Sequence, residues 1–151
     1  MEATEPPRIL YVDSSAIVKL VVREPETGAL RAYLGGAQLV TSEIALTEVP
    51  RAAHLRTGAT EVFDQAETVL RRFDLVALDE EIHRAAARLP PRELRTLDAI
   101  HLVSALRVRE RLGGVVAYDR RLAQAARDAG LAVMAPGAPL SGEDDAKEPE
   151  R

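Results

Sequence analysis

Short continuous apolar runs and helical apolar stripes alternate along the chain from residue 8 to about residue 134. The run at 8–12 (R-I-L-Y-V) predicts a first strand ending at Asp13. Stripes over 14–22 and 26–34 predict two helices, closed by Arg23-Glu24-Pro25 and by Gly35-Gly36. Residues 38–41 predict a second strand. Ser42 is placed to N-cap a helix reaching Thr57, and Glu43 suits its dipole; Gly58 then separates it from a helix over 59–72. A third strand is expected at 75–78, a helix at 79–89 and a loop at Pro90-Pro91. A long helix from about Arg95 to Leu112 follows, then a strand at 115–118, a helix at 120–129 and a fifth strand at 131–134. Strands alternating with helices predict an α/β domain, a mostly parallel sheet of four to five strands covered by helices on both faces. The helix pair between strands two and three is expected to form a hairpin standing off the sheet. Residues 1–7 and 136–151 read as a flexible start and a flexible acidic tail around a domain at 8–135.

Composition narrows the chemistry. Apolar residues make up 46% of the 151 positions but aromatics only 3%, so the core is aliphatic. There is no Cys, which excludes disulfides, thiolate metal sites and a cysteine nucleophile. No secretory signal or membrane span is visible, and a cytoplasmic location is expected. The net charge of −4 lies mostly in the tail from Glu143, where five acids face two bases. The rest is nearly neutral, and its charge neither demands nor forbids a nucleic-acid partner. Eighteen of the twenty basic residues are Arg, which suits bidentate phosphate contact, although a compositional bias explains it equally.

Four carboxylates stand in unusual places. Asp13 and Asp119 follow the first and fourth strands, and ligands of an open parallel sheet collect beyond the carboxyl ends of its strands. Each also suits an N-cap of the following helix. Asp98 shares a helical stripe with Leu94, His101, Leu102 and Ala105, though a first-turn acid also suits the dipole. Glu48 lies within the stripe of Ala45, Val49 and Ala52, where a solvated Glu is not expected; Pro50 in the same helix favours a kink. If the four converge they need a counter-charge. All-oxygen ligation suits Mg²⁺ or Mn²⁺, and such a site supports metal-assisted hydrolysis of a phosphodiester.

The segments D-S-S-A at 13–16, A-L-T-E-V at 45–49, L-D-A-I-H-L at 97–102 and Y-D-R-R-L at 118–122 together resemble PIN-domain proteins. The pattern is most similar to the VapC toxins of bacterial type II toxin–antitoxin systems. The resemblance implies a three-layer α/β/α sandwich with an acidic pocket for Mg²⁺ or Mn²⁺. It also implies an endoribonuclease acting on a tRNA or ribosomal RNA, a homodimer, and a VapB-type antitoxin whose C-terminal segment blocks the pocket. By position, Asp13 and Asp98 look like the principal metal ligands, Glu48 and Asp119 complete the set, and Ser15 resembles the hydroxyl residue supporting the first Asp. Family members often carry Thr two residues before the last Asp; here that position is Ala117.

Other candidates read more plainly. His101 is expected to be packed or to support the site, and His54 and His83 to lie at the surface or an interface. Asp79, Glu80 and Glu81 suit a helix start. Arg120 and Arg121, beside Asp119, are the best placed to contact RNA phosphates, with Arg71, Arg72, Arg92 and Arg95 read as solvated. Two alternatives remain beside the nuclease. A phospho-acceptor domain needs a nearby Lys or a second Asp at position 15, where this chain has Ser15 and, within the fold, only Lys19. A catalytically inactive PIN-like domain would bind RNA or protein only.

Overall fold

The computed structural model describes residues 8–139; the expectations for 1–7 and for the tail beyond 139 lie outside the described residues. Five strands form one sheet: β1 (Ile9–Val12), β2 (Gln38–Ser42), β3 (Phe73–Val76), β4 (Gly114–Val116) and β5 (Val133–Met134). Their order is β3-β2-β1-β4-β5, and every pairing is parallel. The helices are α1 (Ser14–Val21), α2 (Thr27–Leu34), α3 (Ala45–Thr57), α4 (Glu61–Leu70), α5 (Glu80–Arg88), α6 (Thr96–Arg107) and α7 (Arg120–Asp128).

Strand alternation divides the apolar residues between two cores. Leu10, Val12, Leu39, Phe73 and Val116 face α1–α4, while Tyr11, Val40, Val76, Val115 and Ala117 face α5–α7. The central strand β1 is thus covered on both sides, which explains its uninterrupted apolar sequence. Ile17 of α1 and Val49 of α3 are fully buried on the first face, each stabilising the fold by about 1.5–3 kcal/mol relative to exposure. The chain runs outward from β1 to β3 through α1–α4, then returns across β1 to β4 through α5 and α6. Right-handed crossovers place helices on opposite faces when the direction of travel reverses. The reversal lies between β1 and β4, so the crevice at their carboxyl ends is where a ligand is expected.

The elements follow the sequence reading with local shifts. The third strand is Phe73–Val76, not 75–78, because pairing with β2 runs from Leu39↔Phe73 to Ser42↔Val76 and buries Phe73 and Val76 while Leu75 stays 40% exposed. Ser42 does not cap α3: it ends β2, fully buried, and its Oγ accepts from the Ile44 amide at 3.2 Å. Glu43 instead accepts from the Leu78 amide through Oε2 at 3.0 Å, tying the start of α3 to the segment after β3. The long helix ends at Arg107, with a short 3₁₀ turn at Arg109–Arg111. Helix α3 runs on through Pro50. The α3–α4 hairpin packs Ala45, Val49, Ala66 and Leu70 into the first core, while Leu55 is 87% exposed. The chain remains packed just past residue 135: the Tyr118 hydroxyl donates to the Pro136 carbonyl at 2.7 Å. Gly137 (φ 80°) lies where a Cβ would come within 3.0 Å of Ala29, so the left-handed backbone and the close approach both call for glycine.

Candidate active site

At the carboxyl edge of β1 and β4 lies a cavity of about 320 Å³, and Asp13, Glu48, Asp98 and Asp119 all line it. Ser14, Ser15, Arg95, Thr96, Leu97 and His101 complete its wall. The four acids come from four separate segments: the end of β1, α3, the first turn of α6, and the residue preceding α7.

Asp13 is 4% exposed. Its Oδ1 accepts from the Ala16 amide at 2.9 Å, capping α1, and its Oδ2 accepts from Ser15 Oγ at 2.9 Å. Its own amide donates to the Val116 carbonyl at 3.1 Å, which extends the β1–β4 ladder and anchors the carboxylate at the sheet edge. Asp119 caps α7 in the same way, with Oδ1 accepting from Leu122 N at 2.9 Å. Both acids therefore cap a helix and line the pocket.

Charge is crowded here. Burial pushes the Asp13 carboxyl above its ordinary range; the charge of His101 and the hydrogen bonds from Ala16 and Ser15 offset part of this, and the Asp98 charge adds to it. Burial and the Asp119 charge push half-buried Asp98 up too, with partial relief from His101 and Arg95. Glu48 behaves differently. Burial alone would raise it, but hydrogen bonds from His101 and Ser14 and the charge of His101 hold it below the usual range. The negative potential extends outward: Tyr118 is pushed up to about 12 by burial and by the charges of Glu26 and Asp13.

These donors fit a hard divalent cation. They are all oxygen, with an excess of negative charge that burial makes costly. Among the described residues no three His, Asp or Glu side chains enclose an ion as they stand; the acids line an open pocket rather than a closed cage. A hard cation such as Mg²⁺ keeps several waters and takes few direct carboxylate ligands.

His101 is more than a packed residue. It is 3% exposed, and its Nε2 lies 2.7 Å from Glu48 Oε1 and 3.0 Å from Ser14 Oγ. Ser14 Oγ donates to the same Glu48 oxygen at 2.9 Å. On the far side of the ring, Nδ1 lies 2.7 Å from the hydroxyl of Tyr11, itself 1% exposed. Tyr11, in β1, thus connects through His101 on α6 to Glu48 on α3, joining all three layers. Ser14 and Tyr11 are not among the residues expected at the site. The available signal was that a buried tyrosine needs a partner for its hydroxyl, and Tyr11 lies on the same face of the strand as Asp13.

The other expected residues fall as follows. Ser15 supports Asp13. Arg120 and Arg121 are exposed at the start of α7, whereas the arginine in the pocket wall is Arg95. Ala117 is buried in the second core. His54 stacks on Phe63 at 4.8 Å and His83 is exposed. Asp79 caps α5 through the Ile82 amide and pairs with Arg107. Lys19 is held by Glu24 at 2.6 Å and Glu26 at 3.2 Å and lies over the Tyr118 ring, outside the pocket wall, where it does not serve a phospho-acceptor.

Comparison with known proteins shows the family and the fold. The PIN domain family profile matches residues 10–128. The chain is 45% identical over 128 residues to Ribonuclease VapC46 of Mycobacterium tuberculosis (strain ATCC 25618 / H37Rv), covering 84% of this chain and 97% of that one. It is 35% identical over 135 residues to Ribonuclease VapC47 of Mycobacterium tuberculosis (strain CDC 1551 / Oshkosh), covering 86% and 98%. Among solved structures it is similar to Mycobacterium tuberculosis VapC20, described as a sarcin–ricin loop cleaving toxin, with a TM-score of 0.61 and 20% identity over 81% of this chain and 95% of that one. It is also similar to VapBC2 from Rickettsia felis bound to a promoter DNA fragment, with a TM-score of 0.61 and 12% identity over 83% and 97%. At those identities the two structures establish the fold alone.

Proposed function

The chain belongs to the PIN domain family and, within it, to the VapC-type proteins; from that premise we propose that it is a metal-dependent endoribonuclease, the toxin of a VapBC-type toxin–antitoxin pair. The observation that carries this reading is the gathering of Asp13, Glu48, Asp98 and Asp119 around one cavity at the sheet's switch point. In this reading Asp13 and Asp98 are the principal ligands of Mg²⁺ or Mn²⁺, with Glu48 and Asp119 completing the acidic set. The cation supplies Lewis-acid polarisation of the phosphoryl group and a water nucleophile at neutral pH.

The chain's own residues do the rest. The cap and Ser15 hold Asp13 in one orientation, since both of its oxygens are engaged from the protein side. Arg95, on the rim, offsets the negative wall and offers a donor to a phosphate of the substrate. Arg120 and Arg121 extend that basic edge beside Asp119. Ala117 removes no carboxylate from the pocket, so its departure from the family pattern leaves the acidic set whole. Structured tRNA or ribosomal RNA is the proposed substrate class.

A VapB-type antitoxin partner is supported by an apolar surface on the α3–α4–β3 side. There Leu46, Phe63 and Leu75 are 48%, 42% and 40% exposed around one groove. A homodimer and a cytoplasmic location belong to the same proposal; no helix among the described residues is long and apolar enough to cross a membrane.

The test is cleavage of tRNA and ribosomal RNA by the full chain in Mg²⁺ or Mn²⁺, with and without EDTA. Cleavage is expected to vanish in EDTA and to fall by more than about 100-fold in Asp13→Ala and in Asp98→Ala. Activity surviving both substitutions overturns the assignment. RNA binding with no cleavage in either metal identifies a catalytically inactive RNA-binding domain instead.

A further inference from the structure

Glu48 is the one acid of the pocket whose carboxylate is held from behind by a side chain of the opposite helical layer. Its Oε1 receives both Ser14 Oγ at 2.9 Å and His101 Nε2 at 2.7 Å. The only hydrogen on Ser14 Oγ goes to Glu48, so the serine oxygen presents a lone pair to Nε2, 3.0 Å away. Nε2 therefore faces two acceptors and must carry hydrogen, whatever the charge on the ring. In the neutral ring Nδ1 is then an acceptor, and the Tyr11 hydroxyl, 2.7 Å away and buried, donates to it. The ring, 3% exposed, can neither flip nor rotate without breaking three hydrogen bonds. None of this ordering serves packing alone, for an apolar side chain of similar size would fill the space without burying four polar groups.

Resting on the metal-dependent reading above, we infer that His101 is a positioning residue. It pins Oε1 of Glu48 through Nε2–H, with Tyr11 fixing the ring from beneath, so that Oε2 is the atom Glu48 presents to a divalent cation. Histidine here acts on the cation through a carboxylate, the reverse of the common arrangement in which a carboxylate orients a ligating histidine.

Two measurements on the full chain test this. Nitrogen-15 NMR of the imidazole in the metal-free protein reads the ring directly: a protonated Nε2 is expected, and an Nδ1–H tautomer with bare Nε2 overturns the positioning role. Calorimetric titration with Mn²⁺ then compares the wild type with His101→Phe, His101→Gln and Glu48→Gln, and with a double variant joining His101→Phe to Glu48→Gln. His101→Phe is expected to lose about 10- to 100-fold in affinity, the range found when the partner of a metal ligand is removed. His101→Gln, whose amide can donate to Oε1, is expected to recover part of that loss. In the Glu48→Gln background the phenylalanine substitution is expected to add nothing, because an effect transmitted through one partner vanishes with it. An undiminished affinity in His101→Phe, or a full further loss in the double variant, overturns the inference while leaving the metal reading intact. Absence of Mn²⁺ binding by the wild type overturns the metal reading and the metal-facing half of this one, and the NMR result then stands by itself on the Nε2 contact.

Discussion

Replacing Asp98 by Asn is expected to stabilise the metal-free protein and to abolish the stabilisation that Mn²⁺ gives the wild type. A sphere of the cavity's 320 Å³ has a diameter of about 8.5 Å, so acids on opposite walls repel by about 0.5 kcal/mol in a water-like medium and about 2 kcal/mol at an effective dielectric of 20. Asp98 feels Asp119 and Glu48 as like charges and His101 and Arg95 as opposite ones, and it interacts with Asp13 as well. The attractions offset part of this repulsion, and the helix dipole returns about 0.3–1 kcal/mol to an acid in the first turn. Burial, the largest cause of the upward shift of this carboxyl, adds to what remains, and the penalty on the ionised form is about 1 kcal/mol for a half-buried group. For a chain of this length that is a rise in Tm of about 2–4 °C in the variant without metal. Saturating metal acts oppositely. At one hundred times its dissociation constant a ligand adds about 2.7 kcal/mol to the wild type, equivalent to about 5–11 °C. The two melting curves should therefore exchange order between EDTA and excess Mn²⁺, as followed by differential scanning calorimetry. A variant less stable than wild type in EDTA and equally stabilised by Mn²⁺ would show that Asp98 neither strains the pocket nor binds the ion.

Two further outcomes follow from the same charges. Arg95→Ala should weaken RNA binding measured in EDTA, and should reduce the slope of log affinity against log salt by about 0.7, the value for one phosphate contact on a single strand; an unchanged slope removes Arg95 from the substrate path. Asp13 and Asp98 have raised folded pKa values, so their contribution to stability is fully present below the unfolded value near 3.9 and is lost as pH rises through the folded values. Glu48 is lowered, so its contribution is present at neutral pH and lost on acidification. A double variant joining Asp13→Asn to Asp98→Asn retains only the second effect and should lose more stability than wild type between pH 7 and pH 4, read from urea midpoints; parallel curves for the two proteins would refute the assignment.

The parts of this molecule legible in its sequence are those whose cause is local. Leu10, Tyr11 and Val12 report a strand covered on both faces, and Ala16 and Ile17 a helix packed on it, because neighbouring residues carry the pattern. The shifted third strand shows where this stops. Phe73 belongs to β3 because Leu39 of β2 pairs with it, and no feature of residues 73–78 encodes that register. His101 is the sharper case. Its stripe marks it as inward-facing, but whether an inward histidine packs or holds another residue depends on what lies 53 positions earlier at Glu48 and 90 earlier at Tyr11. Asp13 and Asp119 resolve differently, since for them capping and site-building were never alternatives. An aspartate that ends a strand and caps the next helix spends one oxygen on an amide of the first turn, and the same turn sets the carboxylate facing the crevice beyond the sheet. The cap is the means by which the fold aims the acid, which is why the local signal at those two positions pointed to the pocket as well.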